Sequence, residues 1–196
     1  MIQIILASQS PRRKELLTQV GMKFVVCPST IEENVTDKSP VNVVKELSRQ
    51  KAEDVAKKAE NKEAEREFLV IGVDTIVVYE NQILGKPADK EDAIRMLNLL
   101  QGKTHSVYTG VTLVLKREIS KVITFAEKTE VVMYPMNQEE IEWYVNTGEP
   151  MDKAGAYGIQ GLCARFIREI RGDYNNVVGL PVGRIYQELK HQGGIA

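Results

Sequence analysis

Asp74 is the only charged residue in "FLVIGVDTIVVY" (68–79). The run otherwise suits a central strand covered on both faces. A carboxylate in such a strand is unfavourable unless it is paired, hydrogen-bonded or bound to metal. Three roles are therefore open to Asp74: a structural cap or ion pair, a metal ligand, or a catalytic base. Lys51 is the second oddity, lying between Leu47 and Val55 on an apolar helical stripe. Its amine either snorkels to solvent or enters a cleft towards phosphate. Lys86, in "GKP", is either a further anion contact or a surface lysine.

"ASQSPRRKELL" (7–17) places Arg12 and Arg13 just after Ser10 and Pro11, which suit an N-cap and a first helical position. Cations there oppose the helix dipole by about 0.3–1 kcal/mol each when exposed. Either water screens outward-pointing guanidinium groups, or an anion occupies the turn. Free amides of a strand-to-helix turn bind phosphate, and arginine adds a bidentate contact. Ser8 and Ser10 add hydroxyl donors, but the glycine-rich element and Lys-Ser/Thr pair of a P-loop are missing. Glu32 and Glu33 supply carboxylate oxygens, which suit Mg²⁺ or Mn²⁺ better than zinc. A divalent cation with a triphosphate accounts for acidic and basic groups in one site. His105 and His191 form no evident catalytic pair and read as structural or surface residues. No Ser/His/Asp constellation is recognisable.

These residues need elements to hold them. "IQIILA" (2–7) reads as a strand and "SPRRKELLTQV" as a helix ended by Gly21, after which "KFVVCPS" is extended. Residues 39–60 form a strong helix pattern, with "KKAENKEAERE" as its solvated end and a loop. "YENQI" is a turn into a short strand. "ADKEDAIRMLNLLQGKTH" is a helix with Asp89 and Asp92 in capping-box spacing and Gly102 as its C-terminal cap. "HSVYTGVTLVL" and "KVITFAEKTEVVMYP" read as strands, and "NQEEIEWYVNTGEP" as a short helix. "MDKAGAYGIQG" (151–161) is a functional or packing loop in which Asp152 and Lys153 read as a structural pair. "LCARFIREIRGDY" predicts a strand and turn, and "LPVGRIYQELKHQ" the last helix. The mixture favours an α/β or α+β domain with a mixed sheet.

The 196 residues suit one large domain, or one domain with two lobes. A net charge of −1 provides no global field for nucleic acid or an acidic membrane. No stretch approaches the roughly 20 apolar residues that span a bilayer. "MIQIILA" is too short for a signal peptide's apolar region and lacks its basic flank. Cys27 and Cys163 form no metal pattern or disulfide framework, which predicts reduced thiols in the cytoplasm.

Across nearly its full length the chain resembles the Maf family of nucleotide pyrophosphatases. The resemblance rests on "LASQSPRRKELL", Glu32–Glu33, "RQKAEDVA", "GVDTIVV", "LGKP", and "DKAGAYGIQG" followed by "GDYNNVVGLP", in that order. It implies an inosine triphosphatase-like α/β fold: an elongated mixed sheet with flanking helices and two lobes around a cleft, within one domain over 1–196. It implies hydrolysis of dTTP and UTP to the monophosphate and pyrophosphate by a cytoplasmic homodimer using Mg²⁺ or Mn²⁺. Asp74 matches the proton acceptor; Arg12, Thr75 and Gln160 match positions linked to substrate choice. Ser8, Arg13, Lys51 and Lys86 are assigned to phosphate, and Glu32 with Asp74 to the metal. The alternative is a nucleotide- or nucleic-acid-binding regulator of septum formation. No aromatic stacking array supports it.

Overall fold

In the computed structural model, which describes residues 2–62 and 67–193, the apolar run around Asp74 is one long strand of a seven-stranded mixed sheet. The strands are β1 (Gln3–Leu6), β2 (Phe24–Val26), β3 (Phe68–Tyr79), β4 (Gln82–Leu84), β5 (Thr104–Lys116), β6 (Lys121–Met133) and β7 (Ile167–Arg171). Their order is β2-β1-β3-β5-β6-β7, with β4 paired to β3. β1 runs parallel to both β2 and β3, with Ile5 opposite Val25 and Val70. β3 and β4 are antiparallel and joined at Glu80 and Asn81, both at positive φ. β7 pairs antiparallel with β6. The helices are α1 (Pro11–Gln19), α2 (Pro40–Lys62), α3 (Lys90–Leu100), α4 (Gln138–Asn146), α5 (Tyr174–Val178) and α6 (Val182–His191).

The chain divides into two compact units. The first comprises 1–74, 109–127 and 179–196; the second comprises 75–108 and 128–178. In the first, α2 lies on the parallel strands, and Ala52, Val55 and Ala56 pack with Ile5, Phe68 and Val70. Glycine permits the close approach. A Cβ at Gly72 would run into Ser48 O and Ala52, and one at Gly110 into Val44 O. α1 begins at Ser10 with Pro11 as its first residue, although the Ser10 side chain makes no capping bond. It ends at Gly21 (φ 75°), where Gly21 N–H donates to Thr18 O and Met22 N–H to Leu17 O. That pair of bonds defines a Schellman cap.

In the second unit, Met96, Leu97 and Leu100 of α3 and Ile141, Tyr144 and Val145 of α4 close over Val77, Val107 and Val131. Asp89 caps α3 by accepting from Asp92 N–H. The Asp92 carboxylate reaches Ala88 N–H, one residue short of completing a capping box on Asp89. α4 carries the complete box, between Asn137 and Glu140.

Two local expectations are corrected. Leu162–Phe166 is a 3₁₀ turn, and the strand starts only at Ile167. Asp173 and the residues after it turn into the short helix α5, for which the sequence pattern has too few residues to show a period. The 3₁₀ turn Glu149–Asp152 runs into the loop 151–161, which contains a second, Ala154–Ala156. Part of the solvated stretch expected after residue 60, residues 63–66, lies outside the described residues.

Candidate active site

The parallel arrangement sends three segments of the first unit off the carboxyl ends of their strands. β1 leads into Ser8 and α1, β2 into residues 27–38, and β3 continues past the residues paired with β1 to Asp74. Ligands of open α/β sheets bind at such ends. Along β3, Phe68, Val70, Gly72 and Asp74 share one face by the two-residue period of a strand. Phe68 and Val70 pack on α2, and Gly72 lets α2 come close at Ser48 and Ala52. Lys51, adjacent to Ala52, therefore comes over Asp74.

The Lys51 ammonium lies 2.6 Å from Asp74 Oδ1 and 2.9 Å from Glu33 Oε1. The Lys51 ammonium is turned inward and does not snorkel to solvent, and its direct partners are two carboxylates. Arg13 donates from Nε to Gly179 O at 2.9 Å, and from one Nη to Ser8 Oγ at 2.9 Å and Val73 O at 3.2 Å. The guanidinium thus ties α1, the end of β1, the strand carrying Asp74 and the turn before α6 to one point. Gly179 supplies its carbonyl from "VVGLP", the part of the motif for which spacing alone offered no role.

Burial raises the Asp74 carboxyl above the ordinary aspartate value of 3.8, while Lys51 and Arg13 pull it back and Glu33 adds to the rise. Burial also pushes the Arg13 guanidinium down to about 10, against the attraction of Asp74, and neighbouring Arg12 adds to the depression. Arg13 remains a cation at neutral pH. Of the opening pair, Arg13 is therefore drawn inward beside a carboxylate, and Arg12 stands half-buried next to it. No acidic side chain occupies the first turn of α1, so the compensating charge for Arg13 comes from Asp74, far away in sequence.

Glu33 reaches this cluster because residues 29–36 are fastened along α2. Asp54 accepts from Ser29 Oγ and Thr30 N–H; Gln50 pairs with both backbone groups of Asn34; Glu46 accepts from Thr36 N–H and Oγ1. Glu46, Gln50 and Asp54 recur every four residues and so share one helix face. That polar row, on a different face from Val44, Leu47 and Val55, was the sequence signal for the fastening. The expected metal-ligand assignment fell on Glu32, which is exposed, while its neighbour Glu33 makes the ion pair with Lys51.

Thr75, Lys86 and Gln160 fall in the second unit. Thr75 is half-buried on β3, and Lys86 and Gln160 are exposed. Gly155 N–H donates to Gly85 O, and a Cβ at Gly155 would meet Val77, so the "GKP" turn and the 153–161 loop share one neighbourhood with β3. Asp152 and Lys153 are paired at 2.6 Å, as expected. His105 is buried against Tyr157 at 2.7 Å, and burial pushes its pKa down to about 4. It is a neutral structural imidazole at physiological pH.

A mixed α/β sheet with cations and carboxylates gathered past its parallel strand ends places the protein among α/β proteins whose strand ends carry the site. The chain belongs to the Maf-like protein family, whose model matches residues 3–192. A dTTP/UTP pyrophosphatase of Agathobacter rectalis is 59% identical, over 98% of this chain and 98% of its own. A dTTP/UTP pyrophosphatase of Lachnoclostridium phytofermentans is 50% identical, over 98% of this chain and 96% of its own. A HAM1 protein structure from Coxiella burnetii is 13% identical with a TM-score of 0.44, covering 97% of this chain and all of that one.

Proposed function

We propose that this protein hydrolyses dTTP and UTP, and modified pyrimidine triphosphates, to the nucleoside monophosphate and pyrophosphate, clearing them from the nucleotide pool. The observation that carries the reading is the largely buried Asp74 carboxylate, paired with Lys51 and within the field of Arg13. Identity of 50–59% to dTTP/UTP pyrophosphatases over nearly the whole chain supports the substrate class. A carboxylate raised above its ordinary value is a better base, and the two cations favour its charged form against burial. Asp74 accepts a proton from the water that attacks the α-phosphorus. Ser8, Arg13, Lys51 and Lys86 hold phosphate oxygens and the charge of the departing pyrophosphate. Arg12, Thr75 and Gln160 read the base and place the nucleotide.

The donor set fits a hard divalent cation. Asp74 and Glu33 already converge on one positive charge, and Glu32 is adjacent. Among the described residues no group of three acidic, His or Cys side chains could hold a metal, so the protein offers few ligands. That matches Mg²⁺ or Mn²⁺, which bind through one or two carboxylates together with substrate phosphates. When bound, the cation neutralises triphosphate charge. Asp74 with Glu32 or Glu33 would hold it. The family resemblance supports a cytoplasmic homodimer as the working form. No helix among the described residues is long and apolar enough to cross a membrane. A net charge of −1 does not favour the nucleic-acid-binding regulator.

A nucleotide panel with product identification tests the reading. Multiple turnovers yielding pyrophosphate, fastest with dTTP and UTP, are expected in Mg²⁺ or Mn²⁺. Orthophosphate with a diphosphate product, or a purine preference, would overturn it.

A further inference from the structure

Gln160 stands at the exposed tip of a turn whose two ends hang on one relay that runs from buried Tyr144 to half-buried Glu149. Gly158 N–H donates to Tyr144 Oη at 3.1 Å. Tyr144 Oη donates to Glu149 Oε1 at 2.9 Å. Glu149 Oε2 accepts from Leu162 N–H at 2.9 Å. The turn is closed on itself by Gly161 N–H to Gly158 O at 3.3 Å. All of these residues belong to the second unit.

The relay is built as a support. Tyr144 is fully buried on α4, and burial keeps its phenol neutral and so able to donate. Both glycines leave room for the side chains that support the turn. A Cβ at Gly158 would meet the Lys153 side chain, and one at Gly161 would meet the Glu149 carboxylate. Lys153 in turn donates to Glu149 O at 2.6 Å and pairs with Asp152, which anchors the backbone beneath the carboxylate. Ile159 is buried beside Gln160, so one residue of the tip faces the interior and the next faces out. The spacing of "GEPMDKAGAYGIQGL" then has a physical cause: acceptor, ammonium anchor, two glycines and a backbone donor at fixed separations.

We propose that Tyr144 and Glu149 are positioning residues that hold Gln160 at the height and angle needed to discriminate uracil and thymine from cytosine. The inference rests on the reading of Gln160 as a base-selecting residue. A glutamine amide matches the imide edge of uracil or thymine in one orientation and the amino edge of cytosine in the other. Chemical complementarity alone therefore does not separate them. Discrimination requires that the amide keep one orientation and one place, and the relay, by holding the backbone on either side, supplies the second of these. A fixed site rejects the wrong polar edge by leaving its own groups unpaired.

The test compares Tyr144→Phe and Glu149→Gln with the wild-type protein and with Gln160→Ala. Steady-state rates on dTTP, UTP and CTP are measured alongside amide hydrogen exchange at Gly158 and Leu162. In the two relay variants the dTTP-over-CTP preference is expected to fall about tenfold through KM, with kcat for dTTP within about threefold. Exchange at Gly158 and Leu162 should accelerate in both. Wild-type preference in folded Tyr144→Phe and Glu149→Gln, with Gln160→Ala losing it, overturns the positioning role alone. Wild-type preference in Gln160→Ala overturns the base-selecting reading and the proposal with it. If the variants do not fold, the wild-type protein decides. Slow exchange at Gly158 and Leu162 supports the relay, and exchange as fast as in the exposed residues 31–36 overturns it.

Discussion

In the first unit a carboxylate, an ammonium and a guanidinium meet where water is scarce, and the two cations favour the charged form of Asp74 against burial. In the second, His105, Tyr157 and Tyr144 are buried at least as deeply, and burial keeps each of them neutral. The first arrangement suits chemistry on a charged substrate, and its components are costly to keep dry. The second suits shape, because buried hydroxyl and imidazole groups stay neutral and hold the loop by hydrogen bonds, with the half-buried Glu149 carboxylate as an acceptor. His105 Nδ1 is an exception, having no hydrogen-bond partner among the described residues. The difference teaches that, on the proposed reading, the rate of reaction and the choice of substrate would draw on separate physical devices.

Asp74→Asn should break the first device with the largest effect. Removing a general base lowers kcat by about 10²–10⁴-fold. The stability effect has the opposite sign. Because the folded-state pKa of Asp74 is raised, the native protein binds that proton more tightly than the unfolded chain. Stability from this group is thus greatest in acid and declines as pH rises from about 3.8 through the folded pKa. At neutral pH the Asn variant should melt at or above the wild-type temperature, the advantage shrinking towards acid pH. The acidic limb of the wild-type kcat/KM profile should lie above 3.8 and disappear in the variant. A large fall in melting temperature with unchanged kcat would reverse the comparison.

Tyr157→Phe sharpens it from the other side with a smaller effect. It removes the hydroxyl from His105 Nε2 and leaves neither ring nitrogen with a hydrogen-bond partner among the described residues. An unsatisfied buried polar group costs about 1–3 kcal/mol. Each kcal/mol lowers Tm by about 2–4 °C for a chain of this size. Thermal unfolding should show that loss, while kcat/KM for dTTP stays within about threefold.

The sequence exposed the two residues at the centre of the site because each breaks a pattern. Asp74 interrupts a buried strand, and Lys51 interrupts an apolar helical stripe. The long strands and helices were legible for the same reason, their periods being sustained over many residues. What stayed hidden depended on contacts between distant segments. Gly179 O receiving Arg13, and Glu33 rather than Glu32 reaching Lys51, follow from the path of the chain and not from local chemistry. The turn at Leu162–Phe166 and helix α5 are too short to declare a period. The Tyr144–Glu149 relay was equally unreadable, since Tyr144 looks like any apolar position on the buried face of α4.

Hydrolysis of dTTP in ¹⁸O-labelled water tests the central claim most directly, namely that the Asp74 site directs water to the α-phosphorus. Mass analysis of both products should find one labelled oxygen in the nucleoside monophosphate and none in the pyrophosphate. Label in the pyrophosphate, or release of labelled orthophosphate, would contradict the account.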